Sequence, residues 1–247
     1  MVVWERLAAA RPTPEANWVR RRTNLILAAI GAGLTRLIVP SGLATAAALA
    51  EHFEFGLFRL AALPTALTWA AAIIALDCAV YLQHRVFHRV PMLWRVHAVH
   101  HSDRAFDVTT GVRFHPVELL LSLAWKSSAV VLLGVPAGAA LLFEFILSTM
   151  ALLTHGNVRL PDSLERRIRS VFVTPTLHRI HHSESQDEHD RNFGFNLSIW
   201  DRFFGTYRSA ARDGERQLVI GLPGELSRSG RTVAETLRMP LTGAETH

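Results

Sequence analysis

Four long apolar runs divide this chain and constrain what it can fold into. They cover residues 24–50, 60–82, 116–133 and 137–153. Their lengths suit the roughly 20 residues that an α-helix needs to cross the hydrocarbon core of a bilayer. Charged residues make up only 19% of the chain, below the about 25% of a typical soluble domain. The pattern therefore predicts an all-α membrane protein with about four transmembrane helices.

The arginines predict how these helices are oriented. Four crossings place both termini on one side of the membrane, together with the arginines at 20–22 and those of 85–113. The opposite loops, around residues 51–55 and Pro136, contain no lysine or arginine. Cytoplasmic loops of membrane proteins are enriched in these two residues. We therefore expect the termini and the histidine-rich loops to face the cytoplasm.

The remaining segments are polar. Residues 1–23 form an N-terminal segment without the features of a cleavable signal peptide. Residues 24–208 form the membrane domain, and residues 209–247 a C-terminal tail that we expect to be loosely ordered from Gly221 onward. The single cysteine, Cys78, excludes an intramolecular disulfide and a cysteine-based metal site. No basic stripe alternates with aromatic residues, so nucleic acid is not an expected partner.

Histidine is the residue type whose pattern carries chemistry. The sequence H-x-x-H-H-S occurs at 97–102 and again at 178–183, and HRVFH occupies 84–88. Residues spaced i, i+3 and i+4 share one face of a helix, so each motif presents its imidazoles together. Eight nitrogen donors exceed what one metal can hold, and imidazole suits Zn, Cu, Fe and Ni. Two metals sharing one site is the natural interpretation; solvent-exposed loop histidines are the alternative. The eight are His84, His88, His97, His100, His101, His178, His181 and His182.

Charged residues inside the apolar runs are further candidates, because such residues are costly in a membrane. Asp77 shares a helical stripe with Tyr81, His84 and His88, so its carboxylate is placed to orient a ligand histidine. A helix-end aspartate that reaches water is an equally weighted alternative. Glu118 has the simpler interpretation of an acid in the first turn of a helix. Lys126 and Glu144 lie at similar depth in the third and fourth runs and are expected to pair.

The sequence is less consistent with a zinc-protease site, a haem site or a nucleotide-binding site. A zinc protease of the H-E-x-x-H type needs a glutamate after the first histidine, but Arg85 follows His84. A haem site needs one or two histidines rather than eight. The chain has no glycine-rich phosphate-binding motif for a nucleotide.

The histidine motifs and their surroundings resemble the fatty acid hydroxylase / sterol desaturase superfamily of membrane di-iron oxygenases. The likeness extends to LWRVHAVHHS with RFHPVE, to HGNVRLP, and to NFGFNLSIWDRFFGTY, and it covers about residues 77–208. It implies a four-span fold with a cytosol-facing histidine cap over two irons. It also implies O₂-dependent hydroxylation or desaturation of a lipid, with electrons from a separate donor protein or reductant.

The resemblance also assigns ligands. The eight histidines match the family's core, and His155 matches a further ligand position at the end of the fourth span. Arg159 stands where some relatives have a second histidine, so the ligand set departs from the family pattern there. His115 and His189 are possible additional ligands. We interpret WDRFFGT at 200–206 as a packing turn that closes the cap.

A membrane metal carrier or transporter is the main alternative to an enzyme. Transporters place ligands near the bilayer midplane, on broken helices and in inverted repeats. Here the histidines cluster beyond the span ends without a domain-scale repeat, which favours the enzyme. A sterol, a fatty acyl chain, an ether lipid and a carotenoid all remain compatible substrates.

Overall fold

The structure, a computed structural model, describes residues 1–12, 18–61, 63–227 and 230–242. Within these residues it is helical, with isolated β-bridges in place of any named strand. Four segments are long and apolar enough to cross a membrane: Trp18–His52, Thr65–Arg89, Pro116–Leu133 and Ala137–Thr154. The predicted all-α class with about four spans is therefore confirmed.

The helices follow in a single order along the chain. They are α1 (Val2–Leu7), α2 (Trp18–Ile38), α3 (Leu43–His52), α4 (Leu57–Leu60), α5 (Thr65–Arg89), α6 (Pro91–His101), α7 (Pro116–Leu133), α8 (Ala137–Thr154), α9 (Asp162–Ile168), α10 (Pro175–His181), α11 (Gln186–His189), α12 (Ile199–Phe203) and α13 (Val233–Arg238). Short 3₁₀ turns occur at Thr110–Val112, Gly224–Ser227 and Met239–Leu241.

The first crossing is made of two helices rather than one over 24–50. α2 ends at Ile38, and the helical conformation is interrupted until α3 starts at Leu43. Proline at position 40 has no backbone N–H to continue the helix. Gly42 has a φ of +58°, and a Cβ there would lie 2.7 Å from a carboxylate oxygen of Glu144. Only glycine fits both the backbone and the space, so the break is built into the sequence.

The second crossing carries two histidines directly. α5 runs from Thr65 to Arg89, so it starts later and ends later than the predicted span at 60–82. It stops before Pro91, because the residue preceding a proline is disfavoured in the helical region. His84 and His88 therefore lie on the last turns of a continuous membrane helix, where their positions are fixed by its packing.

α7 and α8 follow each other through a tight turn, and each packs against α3 and α5. α7 has Pro116 at its first position, and the side chain of His115 caps it by accepting from the Val117 N–H at 3.2 Å. It ends at Gly134, whose φ of +68° is left-handed. A Cβ on Gly134 would lie 2.9 Å from the Cα of Gly56, so this turn packs directly against the chain before α4.

Two of the buried hydrophobic clusters join the spans and the tail to the rest of the described chain. The first lies between the spans and includes small residues such as Ala47, Ala72 and Ala139, which let helix backbones approach closely. The second lies under α6 and joins Trp94 and Ala98 to residues of the tail, Leu222 and Met239. The expectation of a loosely ordered tail is wrong for its described part, because these apolar side chains are buried against α6. Residues 228–229 and 243–247 of that tail, and 13–17 of the N-terminal segment, lie outside the described residues.

Both described ends of the chain pack at the histidine-bearing end of the helix bundle. Near the N-terminus, the Glu5 carboxylate accepts from the Val108 N–H at 2.8 Å. At the start of α2, Arg20 forms buried salt bridges to Asp103, at 2.7 Å, and to Asp107. The tail reaches the same end through α6. That this end faces the cytoplasm stays a prediction.

Replacing Arg20 with methionine should lower the stability of the purified protein. It removes the buried cation that two buried carboxylates share, a loss that typically costs about 3–5 kcal/mol. Arg21 is the matched control, because it also bonds Asp107, at 2.9 Å, but its side chain is 33% exposed. Arg21→Met should cost about 1 kcal/mol or less. Thermal unfolding in detergent compares the two variants, and equal midpoints would contradict this assignment.

Candidate metal centre

The structure gathers the predicted ligands into two adjacent groups. In each group every histidine offers a ring nitrogen, and these nitrogens all lie within 4.8 Å of one another. All nine side chains are buried. The first cluster is His84, His88, His97, His101 and His181. The second cluster is His100, His155, His178 and His182. The nine residues are the eight from the sequence motifs together with His155.

The two H-x-x-H-H motifs contribute to the clusters in a complementary way. On α6, His97 and His101 are one helical turn apart and both enter the first cluster, while His100 enters the second. On α10, His178 enters the second cluster together with His182, which caps that helix. Residues four apart share a face, and the odd histidine points to the neighbouring face. Each motif thus divides its three imidazoles between two sites, which explains why the motif occurs twice.

Within each cluster the ring nitrogens face each other closely. The Nε2–Nε2 distances are 3.1 Å for His84–His97, 3.0 Å for His84–His181, 3.1 Å for His100–His155 and 2.9 Å for His155–His178. A metal–imidazole bond is about 2.1 Å long. Ligands at right angles around such an ion would be about 3.0 Å apart. The spacing of the nitrogens is therefore that of neighbouring ligands on a common ion.

The outer nitrogens determine which proton each ring carries. Nδ1 of His84 donates to the Phe193 carbonyl at 2.8 Å, and Nδ1 of His181 donates to the Arg191 carbonyl at 2.8 Å. A carbonyl accepts only, so the proton of each neutral ring is on Nδ1 and Nε2 presents a lone pair. Two lone pairs then face each other across 3.0 Å. A cation between them removes that repulsion.

The second cluster repeats this arrangement. Nδ1 of His155 donates to the Ala151 carbonyl at 2.7 Å, and Nδ1 of His100 donates to the Arg113 carbonyl at 3.2 Å. In addition, both ring nitrogens of His182 are buried without a hydrogen-bond partner. Buried polar atoms normally have partners. The donor set therefore fits a metal in each cluster, with metal–nitrogen bonds in place of the missing hydrogen bonds.

Burial keeps these rings neutral. It lowers the pKa of His97 to about 3 and the pKa of His155 to about 4. Burial likewise places the pKa of each of the other cap histidines well below its usual value; these are His100, His101, His178, His181 and His182. A neutral imidazole is the form that binds metals. The rings are thus available as ligands at physiological pH.

Glu118 is the carboxylate that orients a ligand. Its Oε1 accepts from Nδ1 of His97 at 2.6 Å, and the residue is only 4% exposed. From the sequence, a helix-turn role for Glu118 was at least as favoured as a role in the site. The signal was present in RFHPVE, because an acid just inside a membrane span is costly unless it has a partner.

Asp77 contacts the segment that supports a clustered histidine, rather than the histidine itself. Its carboxylate accepts from Asn196 Nδ2 at 2.7 Å, from the Leu197 N–H at 3.2 Å and from Trp200 Nε1 at 2.9 Å. The expected contact with a ligand histidine is not among its hydrogen bonds. Asp77 instead anchors to α5 the segment that includes Phe193, whose carbonyl accepts from His84.

Asp201 secures the same segment from the other side. Its carboxylate accepts from the Phe193 N–H at 2.8 Å, the Gly194 N–H at 2.9 Å and the Thr206 hydroxyl at 2.7 Å. These bonds agree with the interpretation of this stretch as a packing turn that closes the cap. They also hold the carbonyl that orients His84.

The two possible additional ligands, His115 and His189, lie at different distances from the clusters. His115 is outside both clusters, because its Nδ1 caps α7 and its Nε2 lies 3.3 Å from the Leu237 carbonyl oxygen. His189 lies at the edge of the first cluster, with its ring centroid 5.2 Å from that of His88. Together with Asp190 these two form a third group with metal-binding geometry.

A cavity of about 470 Å³ extends from the first cluster into the membrane-spanning helices. At one end it is lined by His84, His97 and Glu118. Its walls carry apolar side chains of α5, α7 and α8, such as Val80, Leu123 and Leu147, together with Phe195 from the segment before α12. The cavity can therefore bring a largely apolar molecule to the metal-binding nitrogens from within the bilayer.

Comparison with known proteins agrees with this geometry. Residues 69–206, more than half of the chain, match the family described as "Fatty acid hydroxylase". The chain belongs to this family. The match begins in α5 and ends beside α12, so it contains all nine clustered histidines.

Individual relatives are also similar. Ornithine lipid hydroxylase OlsE of Rhizobium tropici is 34% identical over 206 residues, which is 82% of this chain and 58% of that protein. Human alkylglycerol monooxygenase is 28% identical over 58% of this chain and 31% of its own length. Human cholesterol 25-hydroxylase is 26% identical over 56% and 50%, respectively. The chain thus spans between a third and somewhat over half of these relatives. No solved structure matches it.

Removing two ligands from the second cluster should remove one metal. The double variant His178→Ala/His182→Ala leaves the five ligands of the first cluster in place. We expect metal content, measured by mass spectrometry of the purified protein, to fall from about two to about one per chain. His52→Ala is the control, because this exposed histidine lies at the end of α3. Retention of both metals would show that the clusters are not separate sites.

Glu118 and Asp77 should differ in their effect on metal affinity. Loss of a group that orients a ligand typically weakens binding roughly 10–100-fold, and we expect Glu118→Ala to fall in that range. Glu118→Gln keeps an oxygen that accepts from His97 and should retain most of the affinity. Asp77→Asn should have a smaller effect than Glu118→Ala, because Asp77 contacts no ligand. Anaerobic titration against a competing chelator measures all three, and the reverse order would contradict these roles.

Proposed function

We propose that the chain is a membrane-bound, non-haem di-iron oxidoreductase that uses O₂ to hydroxylate a lipid. The observation that carries this proposal is the pair of adjacent histidine clusters, the first of which lines one end of a largely apolar cavity. Imidazole ligands alone allow several metals. Iron and O₂ are favoured because relatives of this chain are named as hydroxylases and monooxygenases.

Bound in the two clusters, a pair of irons would supply redox chemistry: with two electrons and two protons, one oxygen atom of O₂ enters a C–H bond and the other leaves as water. The chain itself has no group that can supply the two electrons, so we propose a separate electron-donor protein or reductant. The sequence left hydroxylation and desaturation open. The names of the relatives favour hydroxylation.

The residues of the chain would hold the metals, orient the ligand rings and keep water away from the substrate. Nine neutral imidazoles provide the ligand atoms, and the carbonyls of Phe193, Arg191 and Ala151 fix the rings through Nδ1. Glu118 does the same for His97. The apolar wall of the cavity orients the lipid chain and limits the entry of water to the reacting carbon. Rigid positioning of substrate against ligands is what such a site contributes to the rate.

A metal carrier is the competing function. A carrier must release its cargo, so its ligands need access to solvent in at least one state. Here all nine side chains are buried, and five of them have the outer nitrogen fixed by a carbonyl or a carboxylate. The cavity that reaches them is lined mainly for an apolar molecule. These features favour a resident metal and a lipid substrate.

We also propose that the histidine end faces the cytoplasm. The arginine distribution carries this orientation, and it places the metal clusters on the side where cellular reductants are available. Reporter fusions at the C-terminus and in the α7–α8 turn would test it. An active cytoplasmic reporter at the turn would overturn the proposal.

The activity can be tested directly. Iron-loaded protein in lipid nanodiscs, supplied with a reductant and isotopically labelled O₂, should add one labelled oxygen atom to a lipid, as detected by mass spectrometry. His181→Ala and His182→Ala should abolish the product, since each removes a ligand of a different cluster. His52→Ala should retain activity because His52 lies far along the chain from both clusters. Unlabelled product, or product from both ligand variants, would contradict the proposal.

A further inference from the structure

A second cavity, of about 370 Å³, lies beside the second metal cluster. Its lining shares no residue with the apolar cavity. Phe106 connects it to the cluster, because this residue lines the cavity and its ring centroid lies 5.0 Å from that of His182 and 5.5 Å from that of His155. The proposed hydroxylation does not use this space.

Arginine supplies the charge of this second cavity. Among the residues that the structure describes, its lining contains four arginines and no aspartate or glutamate. The four come from separate parts of the chain and are Arg11, Arg104, Arg179 and Arg216. Like charges around a small space repel each other, and an anion placed among them is attracted to all four. The sign of the charge therefore favours an anionic ligand.

Arg179 is the buried member of the set. It is 1% exposed and lies on α10 between His178 and His181. Its Nη1 donates to the Glu215 carboxylate at 2.9 Å, and its Nη2 donates to the Val158 carbonyl at 3.2 Å. Its Nε is buried and has no hydrogen-bond partner in the described part of the chain. Buried donors are normally used, so this N–H is a donor that a ligand can satisfy.

Arg11 is held beside Arg179 and also has an unused donor. Its backbone N–H donates to Asn157 Oδ1 at 3.1 Å, and its carbonyl accepts from Asn157 Nδ2 at 2.9 Å. Its Nη2 donates to the Leu218 carbonyl at 2.5 Å, whereas its Nη1 is buried without a partner among the described residues. Burial and the nearby charge of Arg11 lower the pKa of Arg179 to about 10, so Arg179 is still protonated at neutral pH.

The carboxylates near the cavity do not balance its cations. Glu215 pairs with Arg179 and is the nearer of the two that act on it. Glu165 is the other, and burial raises the pKa of its carboxyl group. The remaining three arginines of the lining form no salt bridge within the described ranges. Counting both glutamates still leaves more guanidinium than carboxylate groups around this space.

We propose that this cavity binds a phosphate monoester, the phosphoryl group lying among the arginines. A guanidinium donates in pairs to carboxylate or phosphate oxygens. A carboxylate has two oxygens and one charge, whereas a phosphate monoester has three acceptor oxygens and almost two charges at neutral pH. The phosphoryl group can therefore engage two guanidinium groups at once. The buried apolar side chains of the lining, Phe106, Leu218 and Ile220, can contact the carbon atoms of the ester.

Three small molecules test the class of ligand. Glycerol 3-phosphate carries the phosphoryl group, glycerate carries a carboxylate instead, and glycerol is neutral. Each is titrated calorimetrically, in phosphate-free buffer and neutral detergent, into the full-length protein purified with its metals bound. Hydrogen bonds to charged groups are strong enough that we expect glycerol 3-phosphate to bind about 10-fold more tightly than glycerate. Glycerol should give no saturable binding.

Matched variants locate the site. Arg216 and Arg212 are both exposed and lie four residues apart, but only Arg216 lines the cavity. Arg216→Gln should weaken binding of glycerol 3-phosphate about 3-fold, as expected for an exposed charge, and Arg212→Gln should bind it as the wild type does. Arg11→Met removes the unused buried donor and should weaken binding about 10-fold or more.

A fourth ligand identifies the source of the phosphoryl group. Dioctanoyl phosphatidic acid carries the same glycerol phosphate on a lipid. Tighter binding of this lipid than of glycerol 3-phosphate, lost equally in Arg11→Met, assigns the site to a lipid headgroup. Equal or weaker binding assigns it to a soluble phosphate ester. Both results support the phosphoryl site.

The overturning results are equally specific. They are an absence of saturable binding of glycerol 3-phosphate by the wild type, no preference over glycerate, or equal binding by the Arg216 and Arg212 variants. The last result would place the phosphate elsewhere, for example on the metals. If Arg11→Met does not fold, the pair of exposed variants decides. Because no step of this test uses O₂, a reductant or turnover, it stands or falls separately from the proposed function.

Discussion

The convergence of nine imidazoles on two small volumes is the constraint on which the rest of this structure depends. Neutral rings bring their lone pairs together, and those of His84 and His181 face each other at 3.0 Å. Such an arrangement is unfavourable without a cation between the rings, so the fold must hold them there and a metal must relieve the repulsion. The carbonyls of Phe193 and Arg191 do part of the holding, by fixing the proton of each ring on its outer nitrogen.

Residues further from the metal-binding nitrogens hold in place the groups that orient the histidine rings. Phe193 belongs to a segment whose backbone is bound by Asp201, and the residues that follow it are bound by Asp77 on α5. Arg20 links the first membrane helix to the loop after α6 through Asp103 and Asp107. Each of these contacts involves buried charges or amides that are satisfied by hydrogen bonds, as buried polar groups must be. Both ring nitrogens of His88, of His101 and of His182 are buried without such a hydrogen-bond partner, and these rings mark the site.

The membrane-spanning part serves this cap by providing a route and a shape for a lipid. Small residues allow α3 to pack closely on α7 and α8, and the break at Gly42 opens the wall where Glu144 lies. The cavity is therefore apolar for most of its length and charged at one place, beside Lys126.

The sequence by itself determined the four candidate spans and eight of the nine clustered histidines, because apolar run length and helical spacing are local properties. The ninth, His155, was indicated only by the resemblance to the family. It did not determine how the histidines divide between two clusters, or that Glu118 rather than Asp77 contacts one of them. Helical periodicity states which residues share a face, but not which face of another helix they meet. That is decided by packing between residues far apart in the chain, as between Glu118 and His97, and only the tertiary structure shows it.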